Sequence, residues 1–437
     1  MTTSESVYTA LVHRSSAADE SIAEEDRSTV ARNGLRIVGA SALQASGDQA
    51  TKASTVLPWL LHALGAPAAL IGLLVPIRES GSMLPQAFLT PIVMRYRQRK
   101  WVVVVGHAVQ AASVAVMTLI AAVGSGLWAG VGIVGALAVF SLGRCLTSIA
   151  SKDVLGRTLP KGERGQVNGL ATTASGIVAI TLGLGLRLLG GQQLEATQLA
   201  WVLGGAAALW VLAAVLYAQV EEPDDDASAD GESDGSWAAL RLLRDDRDFR
   251  RFVTTRSFLL VSALAPPFIV SMSASSGADA VVGLGGFVVA SGVASIIGGR
   301  LFGRMADRSS RRLMAFGAAA SAAVVLLIVG IVALPGFSGE TTVGTLVLVV
   351  GYFLLTLLHT GVRVGRKTYI VDMAEGDRRT LYVAVSNTAM GIILLVVGAI
   401  SSAIALLGTV WALVFLAALG ALGAVWGWRL PEVSQGS

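Results

Sequence analysis

About twelve apolar runs of roughly 18 to 27 residues, each long enough to cross about 30 Å of hydrocarbon, follow one another along the chain with short connections. In lipid the backbone must satisfy its own polar groups, which leaves closed barrels and helices as spanning elements, and runs of this length are helical. The expected fold class is therefore an all-α polytopic membrane protein. Composition agrees: 54% of residues are hydrophobic, 14% are charged and the mean hydropathy is +0.68, outside the range of soluble globular domains. Fifty glycines and 6% aromatics suit helices that approach closely.

The first six spans are expected near Leu35 to Leu61, Ala66 to Val93, Trp101 to Val123, Leu127 to Ala150, Asn168 to Leu186 and Leu199 to Ala218. An Asp-, Ser- and Gly-rich stretch from Glu221 to Gly235 then breaks the pattern, followed by a basic amphipathic segment up to Arg251. Six more spans follow near Phe252 to Ala274, Ala280 to Phe302, Leu313 to Leu334, Val343 to Gly361, Tyr382 to Leu406 and Thr409 to Trp428. The domain reading is a tail over 1–31, a six-helix bundle over 32–220, a linker over 221–251, a second bundle over 252–428 and a tail over 429–437.

Lys and Arg collect on one set of connections, including Arg95 to Lys100, Lys152 to Arg164, Arg304 to Arg312 and Arg363 to Arg379. The alternate connections, such as Gly124 to Gly126 and Pro335 to Thr342, carry none. Positive loops stay inside, so the expectation is a multi-pass protein of the cytoplasmic (inner) membrane with both termini cytoplasmic. The same topology explains the pI near 9.4 without nucleic acid as a partner. The first thirty residues lack the apolar core of a secretory signal. Cys145 is the single cysteine, and the four histidines show no metal-ligand spacing, so no metal or cofactor is expected. No P-loop, HExxH or GxSxG pattern occurs, and the chain is not read as an enzyme.

The halves echo each other. Arg144 precedes Asp153 by nine residues at the end of the fourth span, and Arg363 precedes Asp372 by nine at the end of the tenth. Arg99-Lys100-Trp101 and Arg311-Arg312-Leu313 form a second echo. The stretch Gly303-Arg304-Met305-Ala306-Asp307-Arg308-Ser309-Ser310-Arg311-Arg312 resembles the GxxxDRxxRR signature of the major facilitator superfamily (MFS). That resemblance implies two six-helix bundles around a central solute path, with the signature loop cytoplasmic. The first-half copy departs from the pattern at Pro91, Arg95 and Tyr96.

Charges inside hydrocarbon cost at least about 2.5 kcal/mol each by insertion scales, so they face a cavity and have partners. Asp48 and Lys52 are spaced to pair at i, i+4 on the first span, and Arg78 and Glu79 lie at comparable depth on the second. These four are the proton-coupling candidates. Arg144, Asp153, Asp307, Arg308, Arg363 and Asp372 are candidate gating charges, with headgroup anchoring as the alternative. Gln44, Gln86, Gln110, Asn168, Asn387 and His359 are candidate solute-lining residues, with Tyr352 and His107 beside them. Pro85, Pro91 and Pro266-Pro267 are expected to kink their helices. The expected function is secondary active transport of a small solute by alternating access, coupled to protons, with export favoured by apolar walls. The competing reading is a transport-inactive receptor or assembly scaffold. Lipid is the surrounding partner, and oligomeric state is not legible.

Overall fold

The computed structural model describes residues 3–11, 27–159, 170, 174, 176–185, 195–223, 244–275, 280–373 and 378–433. All regular structure among them is helical. A short helix α1 (Thr3–Leu11) precedes the first span, which is built from α2 (Arg27–Ala50) and α3 (Val56–Ala63). The second span is likewise divided, into α4 (Ala68–Met83) and α5 (Gln86–Met94). Spans three, four and six are α6 (Lys100–Val123), α7 (Gly126–Thr158) and α9 (Ala196–Ala218), and the described part of span five is α8 (Gly176–Gly185). In the second half, α10 (Arg247–Phe258) and α11 (Val261–Ser275) make span seven. Helix α12 (Ala280–Val332) holds spans eight and nine and breaks at Ser309, where the backbone is extended. Helices α13 (Thr342–Met373), α14 (Arg378–Ala405) and α15 (Thr409–Trp428) complete the chain. Eight spans among the described residues are individually long and apolar enough to cross a membrane; the divided and partly described segments supply the others.

Local chemistry fixes several of these boundaries. The Asp246 carboxylate accepts from the backbone N–H groups of Asp248 and Phe249 at 2.9 Å, capping α10. At the break in α12 the Ser309 hydroxyl accepts from Arg312 N at 3.2 Å, so the signature loop supplies the N-cap of span nine. Ser309 also donates to Glu432 at 2.5 Å, and Arg311 donates to the Leu430 carbonyl, which ties the signature loop to the end of span twelve. The proline expectations are met in part. Span two does break at Pro85, but Pro91 lies within continuous α5, and Pro266 and Pro267 lie inside α11. Span seven is interrupted at Leu259–Leu260 instead, one to two turns upstream, on the side where a proline ring crowds the preceding turn.

Two seams of small residues join the halves. Along the first, spans two and eleven lie so close that a Cβ on Gly398 would stand 2.1 Å from Pro76 Cγ, and one on Gly72 would stand 2.4 Å from Ser402 Oγ. The Ser80 hydroxyl donates to the Gly391 carbonyl across it at 2.7 Å. Along the second, a Cβ on Gly183 of span five would lie 2.8 Å from the Gly285 carbonyl of span eight, and Gly292 faces Ala179. The glycine run of span eight thus serves close backbone approach. Gly398→Ala is expected to destabilise the protein by about 1–3 kcal/mol through overpacking against the rigid Pro76 ring. Gly205→Ala, where nothing lies within 4 Å of the new methyl, should be neutral. Thermal unfolding of both variants in detergent checks the contrast.

Candidate functional site

Between the halves lies a cavity of about 620 Å³, to which spans one, two, four and five of the first half and spans seven, eight, ten and eleven of the second contribute. Its first-half wall carries Asp48, Lys52, Arg78, Glu79 and Arg144; its second-half wall carries His359, Arg363 and Arg366. The halves touch on the side of the cavity nearer the connections that lack Lys and Arg. There the buried hydroxyls of Thr55 and Tyr352 stand 2.6 Å apart and Gly72 meets Phe268, while Phe287 of the second half backs Tyr352 edge-on at 5.1 Å.

The first span positions Asp48 by ending its first helix two residues later. Thr51 to Thr55 are non-helical, although the Thr51 hydroxyl still bonds back to the Gly47 carbonyl at 3.2 Å. This break removes Lys52 from the i, i+4 register, so the expected Asp48–Lys52 pair does not form. Asp48 pairs instead with Arg78 of span two at 2.8 Å and with Arg144 of span four at 2.5 Å. A second nitrogen of Arg78 donates to the Thr51 carbonyl at 2.9 Å, and the Arg78 guanidinium lies 5.6 Å from the Phe140 ring centroid. One carboxylate therefore holds spans one, two and four together. Glu79 lines the same cavity, within electrostatic range of Arg78, Arg144 and Arg366, and has no ion-pair partner among the described residues. Neither do Lys52, Arg363 and Arg366.

Other expected site residues fall elsewhere. Asp153 does not meet the opposite half; it binds Arg99 and, at 2.7 Å, Arg157, both of its own half. Arg144 lines the cavity and pairs with Asp48 of span one. Arg308 is exposed, and the side chains of Asp307 and Asp372 lie outside the described ones, as does all of Asn168. Gln86 donates to the Ser82 carbonyl within its own span, and Asn387 accepts from Arg256 at 3.2 Å. Gln110 is fully buried in span three beside His107; neither they nor Gln44 line the cavity. His359 does line it, and its Nδ1 is 3.2 Å from the Ser262 hydroxyl. Arg366 went unsingled in the sequence because it sits in the basic block that topology explains. Its i+3 spacing from Arg363, which puts both on one helix face, was the signal.

An all-helical membrane protein whose two six-helix halves enclose a charged central cavity has the fold of a polytopic transporter. Residues 40–333 match the Major Facilitator Superfamily, and the chain belongs to it. Solved structures support the same fold at low identity. The chain is similar to the nucleoside transporter NupG (D323A mutant) with TM-score 0.71 and 12% identity, over 91% of this chain and 99% of that one. It is similar to a D-xylose-proton symporter with TM-score 0.67 and 12% identity, over 92% and 99%. A POT family transporter in complex with a thioalcohol-conjugated peptide gives 0.68 and 10%, over 90% and 95%. No curated protein is similar enough in sequence to count as a relative.

Proposed function

We propose that the protein is a secondary active transporter that moves a small solute by alternating access of the central cavity and draws its free energy from protons. The observation that carries this reading is a cavity between two pseudo-equivalent halves that contains both a clamped carboxylate, Asp48, and a carboxylate with no ion pair among the described residues, Glu79. A coupling residue must gain and lose a proton as the cavity changes sides, and Glu79 has no salt bridge to break first. Asp48 is the structural partner that Arg78 and Arg144 share. On this reading the basic connections and both termini are cytoplasmic, and the Thr55–Tyr352 contact closes the external side. Apolar side chains, among them Val75, Met83, Leu260 and Leu394, share the cavity wall with the charged ones.

The test is solute-driven proton movement in proteoliposomes loaded with a pH-sensitive dye and challenged with carboxylates, phosphate esters, sugars, nucleosides and peptides. Wild type should acidify or alkalinise the lumen with at least one class. Glu79→Gln should lose that signal yet keep solute exchange between equal pools, because exchange requires no net proton movement. Loss of both activities in folded Glu79→Gln would remove it as the coupling residue. A transport-inactive receptor predicts silence from the wild type throughout.

A further inference from the structure

We infer that the cavity is an anion site: its solute is a small organic anion bearing carboxylate or phosphate groups, held between Lys52 of the first half and Arg363 and Arg366 of the second. This deepens the transporter reading and rests on it.

The argument begins with a broken symmetry. Arg144 and Arg363 occupy matching places in the two repeats, at the same distance from Asp153 and Asp372. In the first half the neighbouring span one supplies Asp48, which pairs with Arg144 at 2.5 Å. In the second half span seven supplies Leu260, Ser262, Ala263 and Pro266 to the same cavity, and no carboxylate. Arg363 is thus the counterpart of a paired arginine, without an acid partner among the described residues. Arg366 lies one turn further along the same face, and Lys52 reaches in from the opposite half where the broken helix releases it. Lys52 and Arg363 are near enough to repel each other.

Charge on the described lining gives the same answer. Lys52, Arg78, Arg144, Arg363 and Arg366 are five cations against the two carboxylates Asp48 and Glu79, which leaves three positive charges uncompensated. Uncompensated charge at membrane depth is costly, and an anionic solute is the group that relieves it. Two guanidinium forks a turn apart suit the planar or tetrahedral oxygens of carboxylate and phosphate, and an ammonium opposite serves as a point charge. Ser262, Ser295 and Thr356 add hydroxyls to the wall, and the volume of about 620 Å³ suits a small metabolite. Because the three cations come from both halves, the bound anion bridges them and offsets the repulsion that its departure restores.

The test does not require the natural solute. In a Cys145→Ser background, Ser295→Cys and, separately, Thr356→Cys place a reporter thiol in the cavity of the full-length protein in nanodiscs. Each is labelled with anionic 2-sulfonatoethyl methanethiosulfonate and with its cationic trimethylammonioethyl counterpart, and the rate ratio is divided by that for free thiol. Any change in thiolate content cancels in the ratio. The expected anion preference is about tenfold or more, falling towards one when Lys52→Gln, Arg363→Gln and Arg366→Gln are combined. A ratio at or below that of free thiol, a ratio unmoved by the three substitutions, or failure of the sulfonate to reach either position would overturn the proposal. The ratio is independent of turnover. Its absence leaves the transporter reading standing, whereas absent solute flux with the ratio intact removes transport and keeps the anion site.

Discussion

Asp48→Asn is expected to abolish both the proposed proton-driven transport and equal-pool exchange, and this double loss would separate it from Glu79→Gln. The substitution removes the one anion that Arg78 and Arg144 share, at 2.8 and 2.5 Å, and leaves two guanidinium groups facing each other in a cavity already rich in cations. Breaking a largely buried pair by deleting one partner costs on the order of 3 kcal/mol, because the remaining charge stays desolvated. Here two partners are stranded together, and spans one, two and four lose their common tie. The protein should still insert, since insertion follows apolar length and basic loops. Its Tm in detergent should fall by several degrees, and restoring the carboxylate as Asp48→Glu should recover stability in part. Wild-type exchange rates in a folded Asp48→Asn protein would show that Arg78 and Arg144 need no carboxylate between them.

The extent to which the sequence foretold this site follows from the range of each interaction. The spans were legible because apolar length is a local property, and eight of them among the described residues are long and apolar enough to cross a membrane. The intramembrane residues Asp48, Lys52, Arg78 and Glu79 were legible as a cluster for the same reason: charge in an apolar run stands out. Their pairing was not. Arg144 lies 96 positions from Asp48, and the repeat that matched it to Arg363 pointed to no acid on span one. Asp153 in fact finds Arg99, 54 positions away, and Arg157 on its own helix. The break at Thr51 to Thr55 was hidden because it contains neither proline nor glycine. Its hydroxyl residues offer the backbone only weak alternatives, and the interruption is completed by a tertiary donor, Arg78. Arg366 was concealed by an explanation that was correct for its neighbours, the positive loop.

Arg78→Lys should fail nearly as completely as removal of the side chain, although it conserves charge. The guanidinium performs three tasks from one plane: one nitrogen binds Asp48, another binds the Thr51 carbonyl at 2.9 Å, and the face lies against Phe140. The Thr51 carbonyl is available because the first span stops being helical there. A buried carbonyl without a donor costs about 1–3 kcal/mol. An ammonium on a flexible stem can satisfy Asp48 or Thr51 but cannot hold both at the spacing of the fork, and it loses the stacking on Phe140. Arg78→Lys is therefore expected to lower stability by about 2 kcal/mol and to reduce transport at least tenfold, as misplacement of the paired Asp48 propagates to the cavity wall. Arg36→Lys is the matched control: Arg36 pairs with half-exposed Glu221 at 3.0 Å outside the cavity, and an exposed pair contributes less than about 1 kcal/mol. Unfolding midpoints and exchange rates of the two variants, measured side by side, decide the matter. Equal behaviour would mean that the break in the first span is held open by its own backbone and that Arg78 serves only as a charge.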